Sequence, residues 1–138
     1  MKRAGFTMIE LIFVIVILGI LAAVAIPKLA ATRSDAVAST LATSVATCVN
    51  DAGGEYMMTG TFNDSGTANT MPVSAACTDA AATPAGGTGA CFTFVVSDAN
   101  GSLTITGDQT TDAVCVQATD LTDANDLTNG STSVIHNF

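Results

Sequence analysis

Residues 5–29 read GFTMIELIFVIVILGILAAVAIPKL, and the sixteen positions from Leu11 to Ile26 carry no charge and include twelve Leu, Ile, Val or Phe. As a helix, Phe6 to Leu29 would be about 36 Å long at roughly 1.5 Å per residue, enough to cross a hydrocarbon core of about 30 Å. A dozen strongly apolar side chains at roughly −0.4 kcal/mol each outweigh one acid, which costs about 3 kcal/mol at the bilayer centre and less near its edge. That acid is Glu10, at the start of the run. An ionisable group inside a membrane segment is expensive and is usually kept for a partner. This one segment supplies most of a mean hydropathy of +0.49, and the rest of the chain is polar and small. Lys2 and Arg3 precede the segment and Lys28 and Arg33 follow it, so the positive-inside count is tied.

A secretory signal peptide would share the basic leader, the apolar stretch and a small-residue site at Ala23-Val24-Ala25. Glu10 at the head of the run, a run longer than such peptides need, and a helix-compatible continuation after Pro27 all argue against it. The stretch Gly5-Phe6-Thr7-Met8-Ile9-Glu10-Leu11, with a short basic leader before it and an apolar helix after it, resembles the cleavage and methylation motif of type IV pilins and type II secretion pseudopilins. The resemblance covers roughly positions 1 to 35 and departs nowhere from the family's pattern, down to Gly19 and Pro27 within the apolar helix.

That resemblance implies a prepilin. Residues 1–5 would be a leader, cut between Gly5 and Phe6 by a membrane-embedded prepilin peptidase that then methylates the new N-terminus of Phe6. Residues 6–29 would be the transmembrane or filament-core half of a long helix, and residues 30–138 a globular head. The fold expected is α+β, one long N-terminal helix packed on a small antiparallel sheet of three to four strands. The function expected is structural: a subunit that polymerises with itself, on an inner-membrane pilus or secretion assembly platform, into a filament for adhesion, motility or uptake. A pseudopilin of a type II secretion system shares the same N-terminal signature, and a non-polymerising membrane-anchored adhesin is the alternative of a different class. The chain would begin as a single-pass inner-membrane protein with its head outside the cytoplasm, and end in an extracellular or periplasmic filament.

Physical chemistry gives each motif residue a reason. Gly5 lacks a side chain, so the backbone can enter a narrow protease cleft in extended form. In a stacked array the ammonium of a neighbouring Phe6 would neutralise Glu10, turning two costly buried ions into one tolerable pair and fixing the axial stagger. Gly19 and Pro27 weaken the helix by lost propensity and a missing donor, which suits a stretch that can extend.

The remaining composition excludes much. All four basic residues lie within the first 33 positions and eleven of the twelve acids follow them. A wholly acidic head cannot neutralise phosphates, which argues against direct nucleic-acid binding. A single histidine, His136, and no Trp leave no inventory for a catalytic triad or a multi-His metal site, so neither an enzyme nor a cofactor is expected. A C-terminal group of Asp120, Asp123, Asn125, Asp126 and Asn129 makes Asp123, Asn125 and Asp126 a calcium candidate, but it lacks the EF-hand order and any Glu, and a solvated acidic turn is the favoured reading.

Cys48, Cys77, Cys91 and Cys115 match neither a CxxC redox pair nor a zinc spacing. Beyond a membrane-crossing segment they read as two disulfides with three conceivable pairings. The preferred one joins Cys48 to Cys77 and Cys91 to Cys115, worth about 3 to 4 kcal/mol each in the chain-entropy model. Val37, Leu41, Val45, Cys48 and Val49 recur at helical intervals, which predicts that the long helix continues to a first stop at Gly53-Gly54. Residues 55–90 read as loop, with TPAGGTG at Thr83–Gly89 a turn-rich tract. Cys91-Phe-Thr-Phe-Val-Val, Ser102-Leu-Thr-Ile-Thr and Ala113-Val-Cys-Val-Gln read as three strands of a meander, with Val134-Ile135 as a fourth.

Overall fold

The long helix predicted from the sequence is α1, Met8–Thr59, 52 residues in a computed structural model that describes residues 5–62, 74–85, 87–109, 112–129 and 134–138. It contains a window of mean hydropathy 3.1 that is long and apolar enough to cross a membrane. The chain divides into two units, Met1–Arg33 and Ser34–Phe138. The first holds the apolar half of α1, where every large side chain from Phe6 to Leu29 is exposed. Most of the expected leader, residues 1–4, lies outside the described residues.

In the second unit α1 buries one stripe, Ala38, Leu41, Val45, Cys48 and Ala52, at alternating steps of three and four. The opposite face is rich in Thr and Ser, which favour turns over helix interiors. Here Thr40, Thr43 and Thr47 each donate a hydroxyl to the carbonyl four residues back, at 2.9 to 3.0 Å, so their polar groups are satisfied inside the helix.

The helix does not stop at Gly53-Gly54, correcting the sequence expectation. Gly53 lies where the ring of Phe138 crosses the helix: a Cβ there would sit 2.5 Å from a ring carbon. The glycine is needed for close approach within the helix, and the stop comes at Gly60, whose φ of 74° is the left-handed conformation that ends helices. Its N–H bonds the Tyr56 carbonyl at 2.8 Å.

Two further corrections follow. The stretch 55–90 is not all loop, since α2, Ala75–Ala81, starts at an N-cap Ser74 that accepts from the Ala76 N–H and carries the buried Cys77. Residues 63–73 lie outside the described residues, as does position 86 within the TPAGGTG tract. Ala113-Val-Cys-Val-Gln is not a strand: it opens α3, Ala113–Asp123. Asp112 caps α3 through its side chain to the Val114 N–H at 2.9 Å. The buried residues Val114, Cys115, Ala118, Thr119 and Thr122 follow a helical period that a five-residue window cannot distinguish from alternation.

The sheet is a three-stranded antiparallel meander in the order β1 (Phe92–Ser97), β2 (Ser102–Gly107), β3 (Val134–Asn137). The expected fourth strand is therefore the third. Register pairs Phe94 with Ile105 and Ile105 with Val134, and the next inward row runs Val96, Leu103, His136. Phe94, Val96, Leu103 and Ile105 of these rows join the stripe of α1 in a single core with Phe62 and Phe92, giving the α+β layout of a long helix packed on a small sheet. His136 is structural: its Nε2 lies 3.1 Å from the Leu127 carbonyl, holding the segment after α3 against β3.

Disulfides join Cys48 to Cys77 and Cys91 to Cys115. The first ties α2 to α1. In the second, Cys115 sits on α3, so the bridge ties that helix to the residue before β1.

The loop joining β1 to β2 is anchored to the distal end of α1. Asp98 accepts the Phe62 N–H on its carboxylate at 2.8 Å and the Tyr56 hydroxyl on its backbone carbonyl at 3.2 Å. Tyr56 stacks on Phe62 at 4.8 Å between ring centroids, and Phe62 meets Phe138 edge-on at 6.1 Å.

Candidate functional site

The N-terminal segment places its chemistry at the first turn of α1. Gly5 has nothing within 4 Å of where a Cβ would stand, and Phe6 is 93% exposed. Both residues of the expected cleavage junction are thus accessible. Thr7 is the N-cap, with its carbonyl accepting the Leu11 N–H at 3.3 Å. Its own N–H and hydroxyl each donate to Glu10 Oε2 at 2.8 Å, and its hydroxyl oxygen lies 3.4 Å from the Glu10 N–H. This is a reciprocal capping box, in which two of the four orphan donors of the helix start are satisfied by a pair of side chains.

Reading Glu10 only as a membrane acid misses that role, although Thr7-Met8-Ile9-Glu10 has the T-x-x-E spacing before an apolar run that marks such a cap. The cap uses Oε2. A carboxylate has about four acceptor positions, so Oε1 keeps room for a donor from outside the turn. Glu10 therefore starts the helix and still offers negative charge beside the exposed Phe6.

Along the rest of the segment, Gly19 likewise has open space around it, and α1 continues through both Gly19 and Pro27. The exposed apolar side chains lie on all faces of the helix: Ile12, Phe13, Val14 and Ile15, spanning a full turn, are each more than half exposed. A helix apolar all round belongs in a membrane or among other helices.

Around the other candidate residues the structure assigns local roles. Asp123 accepts a short hydrogen bond from the Thr128 hydroxyl, and the Asn125 amide donates to the Leu121 carbonyl at 2.7 Å. Asp126 holds a positive φ of 56° in the turn after α3. No group of three or more His, Cys, Asp or Glu that could hold a metal occurs among the described residues.

Comparison with known proteins places one segment. Residues 1–26 match the family described as Prokaryotic N-terminal methylation motif. No curated protein and no solved structure matches the chain. The apolar helix, its glutamate at the third helical position and the accessible glycine before it thus lie in a stretch that carries the N-terminal methylation signature of type IV pilins and pseudopilins.

Proposed function

We propose that this chain is a prepilin: cleaved between Gly5 and Phe6, methylated on Phe6 and assembled with copies of itself into a type IV pilus-like filament. The observation that carries the proposal is an apolar helix exposed on every face, its first turn capped by Thr7 and Glu10 inside the methylation motif. A monomeric anchor needs only lipid around such a helix. A glutamate inside it needs a positive partner, and the ammonium of a neighbouring Phe6 supplies one. The peptidase and an inner-membrane assembly platform are the implied partners, and the disulfide-bonded acidic head is the exposed outer surface. Gly19 and Pro27 give the buried helix its extensible stretch. Structural assembly, not catalysis, is the activity.

The capping box makes the test sharper, because a Gln at the third helical position retains the cap while removing the charge. Glu10→Gln, expressed as the only copy, is expected to abolish filaments while leader removal and membrane abundance stay near normal. Wild-type filament yield from Glu10→Gln would refute the charge pairing.

A further inference from the structure

Between α1 and α3 the head carries an open cavity of about 350 Å³ lined by Asp35, Ala38, Ser39, Gln117, Asp120 and Leu121. Its polar lining is dominated by acceptors. Asp35 and Asp120 are exposed carboxylates, and the bond that the Asp120 carboxylate accepts from the Gln109 amide is long, 3.5 Å. Gln117 Oε1 is buried without a hydrogen-bond partner, the one such side-chain atom among the described residues. A buried acceptor left unpaired is costly, and two carboxylates lining the same cavity raise the demand for a donor carrying positive charge. Ala38 is fully buried and Leu121 is 40% exposed, so the cavity also offers an apolar surface.

The shape of that demand is an arginine: methylenes lying along Ala38 and Leu121, and a planar fork of five donors facing two carboxylates and an amide oxygen. The head cannot supply it, since Ser34–Phe138 contains neither Lys nor Arg. Beyond the leader the chain has only two basic residues, Lys28 and Arg33, and both are exposed. Lys28 falls within the apolar segment 6–29, whereas Arg33 lies past it.

We infer that the α1–α3 cavity is a docking site for a second copy of this chain, which inserts its Arg33 guanidinium between Asp35 and Asp120 and against Gln117 Oε1. This rests on the filament reading and deepens it: besides the pairing at Glu10, a second charge contact at the head would fix how neighbouring subunits are rotated against one another. It also gives an all-acidic head, whose copies otherwise repel, one attractive contact with its neighbour.

The test is charge reversal in the full chain expressed as the only copy, with sheared fibres collected and quantified. Arg33→Glu and Asp120→Lys are each expected to lose most fibres, and the double variant Arg33→Glu with Asp120→Lys to recover them. Asp35→Lys, on the exposed side of α1, is an independent second partner for Arg33→Glu should Asp120→Lys disturb the head. Intact disulfides, read by thiol labelling of the membrane fraction, show that each variant has folded. If the wild type forms no fibres, the filament reading itself fails. If the wild type forms fibres, normal yield from both single reversals, or no recovery in either double variant, overturns the docking site. Loss with Asp120→Lys alongside normal yield from Arg33→Glu would indicate a small cation from solution in the cavity, and overturns it as well.

Discussion

Gly101 closes the loop between β1 and β2 at a φ of 60°, and a Cβ built there would stand 2.6 to 2.8 Å from two ring carbons and the hydroxyl oxygen of Tyr56. Gly101→Ala is therefore expected to destabilise the head through two separable effects. Left-handed backbone costs an alanine about 1 to 2 kcal/mol. Displacing Tyr56 weakens its stack on Phe62, worth about 0.5 to 1.5 kcal/mol, and its hydrogen bond to the Asp98 carbonyl, worth about 1 kcal/mol. The sum is about 3 kcal/mol, a large share of the stability of a small domain. Urea unfolding of the full chain in detergent, followed by circular dichroism, measures it. In a Tyr56→Ala background the clash has nothing to strike, so the cost of Gly101→Ala should fall to the backbone part, about 1 to 2 kcal/mol. A Gly101→Ala variant as stable as the wild type, or a cost unchanged by Tyr56→Ala, would refute the reasoning.

Removing Cys48 or Cys115 by substitution with Ser should lower head stability by about 2 to 5 kcal/mol without affecting leader cleavage; with both bridges formed, intact mass lies four hydrogens below the reduced value, and thiol reagents label nothing before reduction. Thr7→Val removes the hydroxyl half of the capping box and should cost the helix start about 1 kcal/mol, seen as faster hydrogen exchange at the first-turn amides. Because it leaves the Glu10 charge in place, it should reduce filament yield far less than Glu10→Gln does.

How much of this is legible in the sequence depends on how many residues each signal spans. The apolar run of α1 is long enough to be read as a helix, and the β1–β2 hairpin shows itself in Phe92-Thr-Phe-Val-Val and Leu103-Thr-Ile-Thr on either side of Asp98-Ala-Asn-Gly. The start of α3 misleads because Ala113-Val-Cys-Val-Gln alternates over five residues with β-branched side chains; the period appears only when Ala118, Thr119 and Thr122 are included, two of them polar residues that are buried. Thr119 and Thr122 tolerate burial because their hydroxyls bond the carbonyls of Cys115 and Thr119. Gly53-Gly54 looks like a stop, and only the ring of Phe138, 85 positions along the chain from Gly53, explains why the helix runs on. At the candidate site the proposed cleavage junction and Glu10 are readable as motif residues, and the capping box is readable from Thr7 to Glu10. The cavity with Gln117 is not, because nothing local in Val116-Gln117-Ala118 marks an amide that tertiary packing leaves without a donor.

Intact-mass analysis of fibres sheared from intact cells puts the account most directly at risk, because processing and assembly are read from one sample. The account predicts that this chain is the main component of the fibres, begins at Phe6, carries one N-terminal methyl group and is lighter by the four hydrogens of two disulfides. Finding it confined to the membrane fraction, with no copies in the fibres or with residues 1–5 still attached, would contradict the central claim.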